Sequence, residues 1–306
     1  MTDSSSGPAN DSSSFDAPLE PVDAAIADDL VISDEPVVSD GLVVTDDLER
    51  TQIFGLDFVN AESLDAVIVE LLNAPRRDDD VLPVVLTPNV DILVHLDEDQ
   101  HSIEADLFRR AQYCLPDGQP LVIASRFIGE RLRARLPGSG LFSDLWPQIV
   151  ADKVPVLVVA SSDVIAERLG DEHPDVGLIV PPMFDVDDKS AIAEIVDEIL
   201  ISARAVRPSM IFVGIGNPKD ARIIAALFER WDERIGPKPL CLGLGGSFAM
   251  YLGLKKRAPA WVQKIGMEWF FRFTQEPRRL FHRYFVRDMA FFNIARREWL
   301  LSRSGR

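Results

Sequence analysis

Short apolar runs alternate along this chain with segments whose apolar positions recur every three to four residues. Between Thr51 and Leu254 the runs Gln52–Phe58, Leu82–Thr87, Leu121–Ala124, Pro155–Ala160, Val176–Val180, Met210–Val213 and Pro239–Leu242 predict strands. Between them, Ala61–Leu72 (with Asn60 as its N-cap), Ile103–Tyr113, Ser162–Leu169, Lys189–Ala203 and Lys219–Trp231 predict helices. The strands read as continuous apolar runs, the pattern of strands buried on both faces. Strands and helices taking turns predict an α/β fold, a Rossmann-like parallel sheet with helices on both faces. No repeat of fixed period is present.

The two ends of the chain break this pattern. Residues 1–50 are rich in Ser, Asp, Pro and Gly and carry 13 acids against one Arg, a net −12. Such a segment buries too little apolar surface to offset its ordering entropy, so a disordered acidic tail is expected. From Lys255 to the end, 13 Lys+Arg stand against 4 Asp+Glu, or +9, in a chain whose total is −17. Val262, Ile265, Trp269, Phe270 and Phe273 recur there at helical spacing, and Pro277 suits the first turn of a second helix. Arg279, Arg283 and Arg287 fall at i, i+4 and i+8 of that helix, beside Phe281, Tyr284 and Phe285. Three segments follow: the tail 1–50, an α/β core 51–254, and a basic, aromatic helical appendage 255–306.

Charge narrows the partners. A basic aromatic face suits either packing on the domain or an anionic leaflet, and the acidic remainder of the chain repels nucleic acid. The first residues lack a positive segment followed by an apolar run, so no signal peptide is read, and no apolar stretch of 18 residues is present to span a bilayer. The two cysteines, Cys114 and Cys241, form no metal or disulfide framework and read as core residues of a reduced cytoplasmic protein. The four histidines have no ligand spacing.

In an open parallel sheet a ligand lies beyond the carboxyl ends of the strands. Thr87-Pro88-Asn89, Gly214–Lys219 and Gly243–Ser247 follow predicted strands; Leu115-Pro116-Asp117-Gly118 falls between a predicted helix and a predicted strand. Backbone N–H groups of Gly243, Gly245, Gly246 and Ser247 suit a diphosphate, although a tight strand-to-helix turn explains the glycines equally well. The loop is neither GxGxxG nor a P-loop, which leaves a nucleotide-dependent oxidoreductase with little support. Lys219 would occupy a helix first turn, where a cation is disfavoured unless an anion is near; a solvated lysine is the plainer reading. Thr87 and Asn89 suit either ligand hydrogen bonds or a local turn. Asp117 suits either a Pro-Asp-Gly turn or a general base. Acidic strings at Asp78–Asp80, Asp97–Asp99 and Asp185–Asp187 read as solvated loops rather than Mg²⁺ ligands.

Taken in order, Thr87-Pro-Asn, Leu115-Pro-Asp-Gly, Pro137-Gly-Ser-Gly-Leu-Phe, Gly214-Ile-Gly-Asn-Pro-Lys, Gly243-Leu-Gly-Gly-Ser-Phe and the segment Arg-Ala-Pro-Ala-Trp-Val-Gln-Lys…Gln-Glu-Pro-Arg-Arg-Leu…Arg-Tyr resemble the WecG/TagA/CpsF glycosyltransferases over about residues 51–300. The resemblance implies a bacterial enzyme, peripheral at the cytoplasmic face of the membrane. It would move a sugar (N-acetylmannosamine-type or hexose) from a UDP-sugar to a polyprenyl-diphosphate-linked saccharide in surface polysaccharide synthesis, with inversion and without metal or other cofactor. It assigns the base to Asp117, the sugar pocket to Thr87 and Asn89, the nucleotide turn to Gly243–Ser247, and diphosphate contacts to arginines, with Arg257, Arg272 and Arg279 as candidates. Asp220 stands where the family has a ligand-contacting Gln, and Ala249 where it has an Asp. These departures motivate the alternative of a non-catalytic UDP-sugar-binding or scaffold protein of a polysaccharide assembly complex. A homo-oligomer is compatible with all of these features.

Overall fold

The computed structural model describes residues 48–73, 81–255, 268–275, 277, 281 and 287–304, the side chains of 268, 269, 272 and 275 excepted. The acidic tail expected over residues 1–50 lies almost wholly outside the described residues. The strands are β1 (Arg50–Ile53), β2 (Leu56–Val59), β3 (Leu82–Leu86), β4 (Ala111–Cys114), β5 (Val156–Ala160), β6 (Gly177–Ile179), β7 (Met210–Gly214) and β8 (Leu240–Gly243). They form one sheet in the order β1-β2-β4-β3-β8-β7-β5-β6, parallel except for the β1–β2 pair. Strand residues alternate between two apolar layers: Leu157, Val159, Ile211 and Val213 face one, and Val156, Val158, Met210 and Phe212 face the other. Both layers are covered by helices, so the continuous apolar runs mark a parallel sheet buried on both faces, as the pattern predicts.

One layer holds α1 (Leu64–Asn73), α5 (Gly138–Ala151), α6 (Asp163–Glu172) and α9 (Ser247–Tyr251). The other holds α2 (Val90–Glu98), α3 (Ile103–Arg110), α4 (Gln119–Ile128), α7 (Lys189–Val206), α8 (Lys219–Arg230) and the C-terminal helix α11 (Phe291–Arg303). A further helix, α10, covers Glu268–Gln275. Among the described residues no helix is long and apolar enough to cross a membrane. Cys114 and Cys241 are buried free thiols, and burial pushes Cys114 up to about 12.

Four expectations need correction. The run Gln52–Phe58 is a hairpin, turning at Phe54 (φ 56°) and Gly55 (φ 73°), the left-handed pair that a two-residue turn between antiparallel strands requires. Phenylalanine is a costly residue there, and its ring is held against Phe291 of α11 at 5.4 Å between centroids. The helix expected over Ile103–Tyr113 stops at Arg110, and the wholly buried Ala111–Cys114 becomes β4. The strand expected at Leu121–Ala124 is the middle of α4, whose boundaries follow Pro120 in its first turn and Gly129 (φ 99°), whose N–H caps Ser125 O at 3.0 Å. Asn60 does not cap a helix. Its amide donates to Thr51 Oγ1 (2.9 Å) and Arg131 O (3.0 Å), its carbonyl accepts from Arg133 N (2.8 Å), and α1 begins only at Leu64.

The last helix of the basic C-terminal segment is built into the core. Phe291 and Ile294 are buried, and Arg297 forks onto the Asp97 carboxylate of α2 (2.6 and 3.4 Å). Of the two readings left open for the arginine face, packing on the domain or meeting an anion, Arg287 takes the first: it turns onto α2, 3.5 Å from Asp91 and 3.6 Å from Glu98. Arg279 and Arg283 lie outside the described residues.

The tightest packing lies where β7 ends. A Cβ on Gly214 would sit 2.1 Å from the Phe248 ring, which packs at a tilt against Phe142 of α5, 4.7 Å between centroids. Gly214→Ala is therefore expected to lose about 1–3 kcal/mol of unfolding free energy in urea, with partial recovery in the double variant Gly214→Ala/Phe248→Leu. Wild-type stability in the single variant would mean that the ring has room to move.

Candidate active site

At their carboxyl ends the neighbouring strands β3 and β8 send the chain to opposite faces of the sheet, β3 to α2 in one layer and β8 to α9 in the other, so the outgoing connections diverge and leave a crevice there. Leu86 pairs with Cys114 on one side and Gly243 on the other, and Gly243 pairs with Val213. All four loops singled out in the sequence therefore open onto one end of the central sheet. The Asp117 loop follows β4 directly, a placement hidden by the misread helix over residues 103–113.

The Asp117 side of the crevice is held by backbone. Asp117 N donates to Pro88 O (3.0 Å), and Leu136 N to Pro116 O (2.8 Å). The side chain, 30% exposed, pairs with Arg135 at 3.6 Å from Oδ1 to Nε. Helices α2, α4 and α5 all begin here, after Asn89, Gly118 and Pro137, so three sets of N-terminal N–H groups and positive dipole ends converge on this region. Asn89 Oδ1 caps α2 by accepting from Ile92 N (3.2 Å). Gly138 brings the start of α5 against Thr87: a Cβ there would lie 3.0 Å from Thr87 Oγ1.

The glycine loops make the other side. Gly245 turns with φ 55°, and a Cβ on Gly243 would meet Leu86 Cδ2 at 2.9 Å, so both positions need glycine. Between the loops lies Asp220, only 3% exposed, in the first turn of α8. Its Oδ1 accepts from Ile215 N and Gly216 N (2.9 Å each), and its Oδ2 accepts from Gly245 N (2.8 Å). Burial raises this carboxyl to about 6, against the pull of the three N–H donors. Ser247 Oγ donates to Leu244 O (2.6 Å). Lys255 Nζ comes near the same turn, 3.7 Å from where a Gly246 Cβ would be.

Several expected contacts fall elsewhere. Lys219 does begin α8, but its Nζ donates to Phe184 O (2.5 Å) and lies 4.3 Å from the Phe184 ring centroid. Arg257 and Arg279 lie outside the described residues. Arg272 falls within α10, and its side chain is outside the description. Of the acidic strings, Asp97 binds Arg297, Asp185 accepts from Asp187 N (2.9 Å), Asp187 approaches Arg222 at 3.6 Å, and Asp78–Asp80 is outside the described residues. Among the described residues no group of three or more His, Cys, Asp or Glu is gathered as a metal site requires. Sequence reasoning missed Arg135 and Lys255 as site residues, and neither carries a local pattern. Gly138 stood in the Pro-Gly-Ser-Gly motif, and Asp220 stood in view only as a departure from a family residue.

A mostly parallel sheet covered by helices on both faces, with glycine loops at the carboxyl ends of its central strands, defines a Rossmann-like α/β protein. The chain belongs to the glycosyl transferase WecG/TagA/CpsF family, whose model matches residues 51–305. Among its relatives are proteins named N-acetylglucosaminyldiphosphoundecaprenol N-acetyl-beta-D-mannosaminyltransferase. That of Bacillus subtilis (strain 168) is 27% identical over 236 residues, covering 76% of this chain and 86% of the relative. That of Bacillus spizizenii is 29% identical over 228 residues (73% and 82%), and that of Staphylococcus aureus (strain MW2) is 24% identical over 237 residues (76% and 87%).

Asp220 leaves a thermodynamic signature. Its folded value of about 6 exceeds the ordinary 3.8, so between those pH values the folded protein keeps a proton that the unfolded chain has released. Stability from this group is thus fully present below about pH 4 and falls as pH rises through 6. From 3.8 to about 6, at about 1.4 kcal/mol per pKa unit, the loss is about 3 kcal/mol. In urea unfolding, the stability difference between wild type and Asp220→Asn is expected to change by about that amount between pH 4 and pH 7. A difference constant across this window would contradict the burial of the carboxyl.

Proposed function

We propose that this protein transfers an N-acetylhexosamine, N-acetylmannosamine by the names of its relatives, from UDP to a sugar carried on a polyprenyl diphosphate. The observation that carries the reading is the placement of Asp117 at the β4 end of the same crevice whose β7 and β8 ends are glycine loops. Strands β4 and β8 flank β3, so the carboxylate and the Gly243 loop stand two strand spacings apart, about 10 Å, the span of a sugar and its diphosphate.

In this reading the donor diphosphate lies against the loop N–H groups and the sugar extends toward Thr87 and Asn89. Asp117 takes the proton of the acceptor hydroxyl as its oxygen attacks the anomeric carbon from the face opposite UDP. The bond from that carbon to the UDP oxygen breaks with its electron pair, and the configuration inverts. Backbone dipoles aimed at the departing diphosphate, together with Lys255 and the appendage arginines, stabilise its charge without reorganisation. Arg135, 3.6 Å from Asp117 Oδ1, orients the carboxylate.

The reading includes an anionic membrane surface met by residues 255–306. In its support, Phe292, Arg296 and Leu300 follow one another at i, i+4 and i+8 on α11, all exposed, with Arg303 one turn on. Phe292 is 66% exposed, an unusual cost for a phenylalanine facing only water.

Two experiments test this. Asp117→Asn is expected to lower turnover by roughly 10²–10⁴-fold, with donor affinity within about twofold of wild type. Wild-type turnover would remove the base. For the surface, Phe292→Glu/Leu300→Glu is expected to weaken sedimentation with phosphatidylglycerol-rich vesicles by at least roughly tenfold. Unchanged sedimentation would sink the membrane contact.

A further inference from the structure

The geometry points to Asp220 as a positioning residue for the donor site: its ionised carboxylate ties the β7 and β8 glycine loops into the shape that accepts a nucleoside diphosphate sugar, and its protonation releases that shape. The inference rests on the donor reading above and assigns a role to a side chain that touches neither substrate nor the proposed base.

The division of its two oxygens carries the argument. Oδ1 holds both N–H groups of the β7 loop, and Oδ2 holds the N–H of Gly245 in the β8 loop. Only an acceptor at both oxygens satisfies all three donors. A proton on either oxygen weakens it as an acceptor and adds an O–H that needs a partner of its own, and an amide NH₂ in its place sets a donor against a buried N–H, so in either case the hold on one of the loops is loosened. The turn that would move includes Gly245, whose left-handed φ of 55° is held against nothing else as close as Asp220 Oδ2, 3.9 Å from the Cβ position.

The charged neighbours leave Asp220 to respond on its own. On α8, Lys219 is turned to Phe184 O, and Arg222 to Glu104 of α3 and Asp187. Asp185, in the loop that carries Phe184, accepts from Asp187 N. From the segment after α9, Lys255 reaches the Gly246 side of the turn. The β7 loop residues Ile215 and Gly216 carry no titratable side chain, nor does Leu86 of β3. Burial, with no salt bridge to it among the described residues, holds the carboxyl at about 6, so a shift of pH within the ordinary working range changes its charge.

Calorimetry of the full chain with UDP-N-acetylmannosamine from pH 5 to pH 8 is the test. The diphosphate of this donor is esterified at both ends, so it lacks the monoester proton that titrates near pH 6. With roughly a tenth of Asp220 ionised at pH 5, affinity is expected to be about tenfold lower there than at pH 8. Asp220→Asn is expected to bind more weakly than wild type at pH 8 and to show no dependence on pH. Glu104→Gln, which alters a buried carboxylate away from the loops, keeps the wild-type profile whatever it does to stability. Should Asp220→Asn fail to fold, the amide resonances of Ile215, Gly216 and Gly245 in the wild type decide, because they must titrate together with a midpoint near 6. Binding that is intact but flat with pH, or amides that do not titrate together, overturns the role of Asp220 and leaves the donor reading standing. Failure to bind at any pH overturns both.

Discussion

Where parallel strands end, their last N–H groups run out of ladder partners, and in a buried sheet those groups cannot turn to water. At the centre of this sheet the shortage is acute. β7 and β8 both end in glycine, and Gly214 and Gly243 lie where side chains are shut out by Phe248 and Leu86. Asp220 meets the shortage with one carboxylate shared by three donors. The cost is a charge held almost without solvent and, among the described residues, without a cationic partner, and it shows in the raised pKa. The same tie joins the two glycine turns, so a structural necessity and the proposed donor-binding surface share one contact.

A second coupling joins the ends of the described chain. Phe54 occupies a left-handed turn position and is kept there by Phe291, so the β1–β2 hairpin relies on α11 for its buried ring. Helix α11 and Arg287 place cations on the acidic face of α2. These contacts bring the basic C-terminal segment to α2 and α4, the two helices whose N-termini flank Asp117. The last helix packs beside α2, α4 and the β1–β2 turn, and its outward face, with Phe292 and Leu300, looks away from the core.

Periodicity made the parallel architecture legible because strands such as Val156–Ala160 and Met210–Gly214 are buried on both faces and bounded by clear turn residues. It failed where four apolar residues stand alone. Leu121–Ala124 is wholly apolar yet helical, whereas Ala111–Cys114, which contains Gln112, is a buried strand, and only Pro120, Gly129 and the abrupt end at Arg110 mark the difference. The Asp117 loop was visible as a motif, but its place at a strand end followed from β4. Arg135 and Lys255 reach the site through the fold rather than through spacing, and no local pattern marks either. Asp220 was legible as an unusual residue, and its meaning was not: a carboxylate in place of an amide is a loss when only ligand contacts are considered, and a gain when the N–H groups around it are counted.

That difference bears on how a departure from a family residue is weighed. An Asp at position 220 and an Ala at 249 weaken the case for a donor site if each is taken as a missing ligand contact. The structure gives Asp220 three partners, all belonging to the loops themselves, and Ala249 is buried in the layer under α9 with Phe248. Neither position is an empty place in the crevice. With the loops supported from beneath by the protein's own carboxylate, the diphosphate need not organise them on arrival, and its binding energy is available for the step in which charge builds on the leaving oxygen. The substitutions that argued for a scaffold protein are therefore compatible with catalysis, and the pre-ordered loops favour it.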